Sequence, residues 1–405
     1  MALAGAAVAA TDDTVVARGA AARLPAGAVL AAALALPGVM APAFAENAPE
    51  QGVVSFKYLH YEDSQPDLDR TKVTAPSVYV MTPIGARWSV EASLVSDSVS
   101  GASPRYHTSV SGASRMSDER HAGDVKVTRY EDRSAWSMGF AASDENDYSS
   151  RAMSFELRRG SDDNNRSWNF GLGLARDHVG STNNSQLDER KRTVELMAGV
   201  TQAWTANDMV QLNLTLTRGL CDNNADPTIS CFNDVYKDPD IRPRDRNQAA
   251  MLARWNHHFD GLGSTLRSSY RYYRDSYGIR AHTFGAEWVQ PVGERITLTP
   301  AVRYYSQSAA AFYYDPVYDP DLGEPYPPGY FTSPPKYISG DQRLSAFGAV
   351  TLGLKAAVKI DADWSADVKV ERYEQRGGWR LGGSGSPGLA NFNANIVQAG
   401  VSRRF

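Results

Sequence analysis

The stretch ANIVQAGVSRRF, residues 394–405, decides the fold. Val397, Ala399, Val401 and the terminal Phe405 fall on one face at period two, and Gln398, Gly400, Ser402 and Arg404 fall on the other. That is a strand with one apolar and one polar face, stopping on an aromatic residue. The same alternation runs backwards through the chain. Val210, Leu212, Leu214 and Leu216 alternate with Gln211, Asn213, Thr215 and Thr217, and Met153, Phe155 and Leu157 alternate with Ser154, Glu156 and Arg158. From Gly52 onward about sixteen such segments are separated by Gly, Asn, Asp, Pro and Ser. A β-sandwich also alternates in this way, so alternation alone does not decide the architecture.

Connection lengths and tryptophans decide it. Short links fall at residues 83–87, 131–134, 205–208, 291–294 and 360–363; long ones fall at 97–120, 177–190, 219–245, 308–340 and 376–392. With the first strand running outward, every short link lies on one side and every long link on the other, as in a transmembrane barrel with short periplasmic turns and long extracellular loops. Seven of the eight tryptophans, Trp88, Trp136, Trp168, Trp204, Trp255, Trp288 and Trp364, lie at the strand ends beside short turns. A belt at the headgroup level of a membrane produces that bias, because indole prefers the interface. Tyr270, Tyr272, Tyr273, Tyr304, Tyr305 and Tyr373 are expected to form the girdle at the other end. Pro76 and Pro300 fall inside strands, where a closed barrel has no free edge; bulges or shifted strand boundaries are the expected accommodation. The fold expected is an all-β, antiparallel up-and-down transmembrane barrel of about sixteen strands. A soluble secreted β-protein is the alternative.

Composition agrees with an exported barrel. The chain has 405 residues, 42% of them hydrophobic, with a mean hydropathy of −0.41. No run after residue 45 is long and apolar enough for a spanning helix. Arg18 and Arg23 precede an apolar run at residues 26–40, and Ala43-Phe44-Ala45 offers a cleavage site before Glu46. Residues 1–45 are therefore expected to be a cleaved signal peptide and residues 46–405 the barrel domain. The formal charge of −4 points to no nucleic-acid partner. Cys221 and Cys231 lie ten apart in a polar stretch. In an oxidising compartment they are expected to pair, a closure contributing roughly 3 kcal/mol. A metal role is weaker, since no His lies between them.

The face predicted to point inward carries both signs of charge. It comprises Glu91, Asp124, Lys126, Glu156, Arg158, Glu195, Arg254, Arg267, Arg271, Glu287, Arg303, Arg343, Asp367, Lys369 and Glu371. One reading is a lumen that selects polar solutes. The other is a network that braces and narrows the barrel, which mixed signs favour. The first long loop repeats Val99-Ser100-Gly101-Ala102-Ser103 as Val110-Ser111-Gly112-Ala113-Ser114, small residues that permit tight turns. Two further loops carry similar phrases, Val235-Tyr236-Lys237-Asp238-Pro239-Asp240 and Val317-Tyr318-Asp319-Pro320-Asp321, read as solvated turns because neither has the spacing of a calcium loop. The seven histidines do not form a catalytic motif. His257 and His258 sit at a short turn, His282 faces lipid, and His60, His107, His121 and His178 lie near the long loops. No enzyme activity, cofactor or metal site is implied.

Two resemblances sharpen the picture. The final strand resembles the closing strand of bacterial outer-membrane barrels, whose terminal Phe, with Val401 on the same face, implies recognition by the barrel-assembly machinery; Arg403 departs from the aromatic common two residues before the end. The run Ala75-Pro76-Ser77-Val78, Pro83-Ile84, Trp88-Ser89-Val90 and residues 97–104, DSVSGASP, resembles the bacterial family known as domain of unknown function 3570. That resemblance implies an outer-membrane barrel with no established activity. It also implies a setting beside a small lipoprotein, a thioredoxin-fold protein and a flavin transferase, hence a periplasmic redox or export system as partner. The leading functional expectation is passage or export of a polar solute. The second is a closed structural or partner-binding barrel acting through its loops, and the third, disfavoured, a hydrolase at the rim.

Overall fold

The computed structural model describes residues 47–405 apart from residue 67 and residues 103–114, 181–187, 223–229, 233–239 and 316–328. The signal-peptide reading, including Ala45 and Glu46, lies outside the described residues, as do His107, the second Ser-Gly-Ala-Ser phrase and most of the two Tyr-containing loop phrases.

Sixteen antiparallel strands close into one barrel. They begin β1 (Val53–Gln65), β2 (Leu68–Ile84), β3 (Trp88–Ala102), β4 (Arg115–Glu131), β5 (Ser134–Asp144) and β6 (Tyr148–Gly160). They continue with β7 (Arg166–Val179), β8 (Glu189–Ala203), β9 (Asp208–Cys221), β11 (Asp245–Phe259), β12 (Ser264–Asp275) and β13 (Arg280–Val292). The wall ends with β14 (Ile296–Gln307), β16 (Phe347–Lys359), β17 (Trp364–Arg376) and β18 (Phe392–Arg404). Two further short strands, β10 (Asp240–Ile241) and β15 (Ile338–Ser339), form a separate ribbon between two loops.

The seam is where the quoted C-terminal stretch acts. β18 pairs with β1 from Val53↔Arg404 to Ser64↔Asn393. Beyond the last pair, Gly52 N–H donates to the Phe405 carbonyl at 2.9 Å and Phe405 N–H donates back to the Gly52 carbonyl at 3.0 Å. A Cβ on Gly52 would lie 2.5 Å from the Phe405 ring, so glycine is what lets the terminal aromatic close over the first strand. Arg403 stacks on Trp364 across the β17–β18 pair, its guanidinium 5.5 Å from the ring centre.

Alternation sorts the wall into two faces. Leu212, Leu214 and Leu216 are each close to half exposed, whereas Asn213 and Thr215 between them point inward. The outward face carries many exposed large apolar side chains, a surface that hydrocarbon rather than water must cover. At one end the strands are joined by turns at residues 85–87, 132–133, 161–165, 204–207, 260–263, 293–295 and 360–363. The other end carries the long connections at 103–114, 180–188, 222–244, 308–346 and 377–391, besides three short ones. The two Pro-x-Gly-x-Arg turns share one geometry, with Gly85 at φ 62° and Gly293 at φ 66°. All seven tryptophans named above stand at the turn end, on outward positions or, for Trp204, in the turn after β8.

Two expectations are corrected here. Pro76 and Pro300 produce neither a bulge nor a shifted boundary. The β2–β3 register steps from Thr74↔Ser98 to Ser77↔Val95 without slipping, and β13–β14 steps from Glu287↔Ala301 to Gln290↔Leu298 in the same way. Each proline drops ladder pairs toward one neighbour and keeps pairing with the other, Tyr58 for Pro76 and Leu354 for Pro300. The tyrosine girdle also divides. Tyr270, Tyr272 and Tyr304 point outward, but Tyr273, Tyr305 and Tyr373 point into the barrel, Tyr305 and Tyr373 being buried. Adjacent tyrosines necessarily face opposite ways on a strand.

Candidate functional site

The inward face is the site that the fold builds. Fourteen of the fifteen charges assigned to it from sequence occupy inward strand positions, and they are not spread evenly. One arc, β3 to β6, holds Glu91, Asp124, Lys126, Glu156 and Arg158. Lys126 pairs with Glu91 at 3.0 Å, Tyr79 donates to Glu91 at 3.1 Å, and Ser93 bonds Asp124. On β8, Glu195 accepts from Thr217 at 3.0 Å. The facing arc, β11 to β14, holds Arg254, Arg267, Arg271 and Arg303 with one acid of the same set, Glu287, while Arg246 and Asp275 form an ion pair nearer the loop end. Arg254 donates to Gln211 and Arg303 to Thr351, each at 3.2 Å. Arg267 stands opposite Glu287 in the register, and Arg271 lies 5.4 Å from the Tyr273 ring centre. On β17, Lys369 pairs with Glu371 at 3.2 Å, and Asp367 lies 3.9 Å from Lys355 of β16.

The fifteenth, Arg343, is a correction. It lies in a 3-10 turn (Gln342–Leu344) of the loop between β14 and β16 and is ion-paired to Asp341, because β16 begins only at Phe347.

Above the charged layer the lumen changes character. Tyr61, Tyr273, Tyr305 and Tyr373 point inward just below the loop end, and each donates its hydroxyl to the residue two further on. The acceptors are Asp63 at 2.9 Å, Asp275 at 2.9 Å, Gln307 at 2.5 Å and Gln375 at 2.8 Å. All four lie on strands running toward the loop end, so aromatic rings form one level and their polar acceptors the rim above it. Leu59, Tyr61, Val73, Phe347, Phe392 and Ile396 pack with Tyr305 and Tyr373 into one buried cluster on the inner wall.

Loops close onto this rim. Gln307 reaches from the wall to the carbonyls of Arg343 and Ser345, at 2.9 and 2.7 Å. Tyr277, Ile279, Ala310 and Leu344 form a second buried cluster that touches Tyr273. The loops 222–244 and 308–346 are fastened together by the β10–β15 ribbon and by Arg242. That guanidinium bonds both Asp240 oxygens, at 2.7 and 2.8 Å, and Asp341 at 2.8 Å. Asp240 and Asp341 have almost no side-chain exposure, so Arg242 bridges a buried carboxylate pair, with Arg343 as a second cation on Asp341. A disulfide ties Cys231 of the first of these loops to Cys221 at the end of β9. Sequence reasoning missed this cap, although Asp341 two residues before Arg343 was its one local trace.

The histidines do not assemble a relay. His60, His178 and His257 lie beside Glu62, Asp188 and Asp208, and His282 bonds the Tyr270 hydroxyl at 2.8 Å. Among the described residues no group of three or more His, Cys, Asp or Glu side chains is placed to hold a metal ion.

A closed, even-stranded antiparallel barrel with an apolar outer band, a tryptophan belt and short turns at one end defines an outer-membrane β-barrel. The chain belongs to the family described as protein of unknown function (DUF3570), which matches residues 26–190 and 180–396. No curated protein matches its sequence. Among solved structures it is similar to the siderophore receptor PirA from Pseudomonas aeruginosa, with 10% identity and a TM-score of 0.44 over 87% of this chain and 62% of the receptor. The chain thus spans less than two thirds of that receptor's length. It is also similar to OccD3 (OpdP) from Pseudomonas aeruginosa, with 10% identity and a TM-score of 0.42 over 90% of this chain and 94% of that one. A bacterial polysaccharide outer membrane secretin aligns with 9% identity and a TM-score of 0.46, over 87% and 98% of the two chains.

Proposed function

We propose that the barrel conducts polar solutes, with a preference for anionic ones, through a lumen whose loop end is narrowed by the latched cap. The observation that carries this reading is the uneven division of charge in the middle of the lumen: four arginines with one acid on β11 to β14, facing three acids with two cations on β3 to β6, whereas the Arg246–Asp275 and Arg120–Asp97 pairs nearer the loop end cancel internally. A bracing network would neutralise its members locally, as Lys126 does Glu91. Arg267 and Arg271 instead have no ion pair among the described residues. Charged rings of one sign set the selectivity of a pore.

The test is the reversal potential of the refolded protein in a planar bilayer across a salt gradient. The wild type is expected to favour anions, and Arg267→Ala/Arg271→Ala to lose that preference while its thermal stability holds. Marked destabilisation without a change in selectivity would instead support a second reading, a closed barrel whose loops hold a partner. The buried Arg242–Asp341 pair, which organises two loops at the mouth, favours that one.

A further inference from the structure

The outward face of β6 to β9 changes from apolar to basic within one step of the ladder. Phe155, Leu172, Leu196 and Leu216 stand in one row, and Met153, Leu174 and Val194 in the next. The row above is Arg151↔Arg176↔Arg192, three arginines on three neighbouring strands, directly opposite one another. Arg218 flanks Val194 from β9, and Arg190 stands opposite His178 one step higher. Like charges directly opposite on a sheet are destabilising, so this arrangement asks for counter-charge.

The chain supplies only part of it. Arg151 pairs with Asp144 at 3.0 Å, Arg192 with Asp222 at 2.8 Å, and His178 with Asp188 at 2.5 Å. Arg176, Arg190 and Arg218 have no ion pair or side-chain hydrogen bond among the described residues. Arg176, Arg190 and Arg192 line an open depression of about 460 Å³ together with Ser149, Asp177, His178, Lys191 and Asp222, in which Asp177 is already paired with Lys191 and Asp222 with Arg192. Adjacent strands are about 4.8 Å apart, so the arginine row spans roughly 10 Å along the membrane surface.

We propose that this row, together with the flanking Arg190 and Arg218, binds the phosphorylated sugar headgroup of an outer-leaflet glycolipid. Three features select that ligand. The row sits at the upper margin of the apolar band at the loop end, where acyl chains below would lie on Met153, Leu174 and Val194. Guanidinium groups take phosphate oxygens in bidentate fashion. A row of cations about 10 Å long suits a headgroup with more than one phosphate, whereas a phospholipid presents a single one. The assignment rests on the loop end facing the cell exterior, and not on whether the lumen conducts.

The experiment is native mass spectrometry of the detergent-solubilised full-length mature protein with bisphosphorylated lipid A, dephosphorylated lipid A, phosphatidylglycerol or inorganic phosphate. The variant is Arg176→Ala/Arg190→Ala/Arg218→Ala, chosen because none of the three is tied into the chain, with heat-modifiable gel mobility as the folding check. The wild type is expected to retain bisphosphorylated lipid A at least about tenfold more strongly than the variant does, since several charge-assisted bonds are lost. Dephosphorylated lipid A and phosphatidylglycerol are expected to leave both proteins weakly occupied. Equal retention by wild type and variant would overturn the proposal. So would equal retention of phosphatidylglycerol, which would mean a general anionic-lipid surface, or displacement of lipid A by equimolar phosphate, which would mean a free-anion site.

Discussion

At the turn end of the barrel, neighbouring strands meet through a few residues, and the contacts lie outside. Arg129 stacks on Trp88, Arg166 on Trp168 and Arg403 on Trp364, each 5.5–5.7 Å from the ring centre, on the side that meets lipid headgroups. At the loop end the contacts lie inside. Tyrosines line the inner wall, a disulfide staples one loop, a two-strand ribbon joins that loop to a second, and Arg242 binds two buried carboxylates contributed by the two loops. The same alternating strands thus carry two kinds of stabilisation. One is local and interfacial, and the other is long-range and buried. The turn end is expected to tolerate substitution, and the loop end to fail cooperatively.

The sharpest way to break this comparison is Arg242→Ala. It leaves Asp240 and Asp341 buried without their shared cation, a loss of about 3–5 kcal/mol for a broken buried pair. Limited proteolysis should then cut within loops 222–244 and 308–346 while the barrel stays heat-modifiable on gels. Removing the disulfide by Cys221→Ser/Cys231→Ser is the next largest, at roughly 3 kcal/mol from loop-closure entropy. Faster hydrogen exchange confined to residues 222–244 is the expected readout. The turn end is probed by Gly52→Val. Its side chain meets the Phe405 ring, and displacing that ring should cost about 1–3 kcal/mol, seen as a lower temperature for loss of the compact gel species.

The smallest effect is one of pH. Burial pushes the Asp315 carboxyl up to about 6, with the Tyr313 hydroxyl donating to it at 2.7 Å. The closed loop therefore holds a proton that the opened loop releases near pH 4. Closure is favoured fully below pH 4 and loses that contribution as pH rises to 6 and above. Hydrogen exchange around Asp315 should be faster at pH 8 than at pH 4, after correction for intrinsic rates, and Asp315→Asn should remove the difference.

The comparison also explains what the sequence could show. The wall was legible because period two is local, and an outward Leu212 or Trp288 is set by its parity alone. The inward charges followed for the same reason. The cap was not legible, since it depends on residues 99 positions apart, Arg242 and Asp341, meeting across two loops that have no periodicity. Arg343 is read as part of the wall because it shares the parity of the inward Phe347 and Ala349, although the strand begins only at Phe347. The inward tyrosines were misread because Tyr272-Tyr273 and Tyr304-Tyr305 straddle the two faces, and only a fixed register says which member turns in.

The most direct test of a polar lumen under a latched cap is single-channel conductance of the wild type and Arg242→Ala side by side in the same bilayers. The account predicts small, anion-preferring steps from the wild type and steps several-fold larger, with the same preference, once the latch is broken. Large steps that the substitution leaves unchanged, or silence from both inserted proteins, would contradict it.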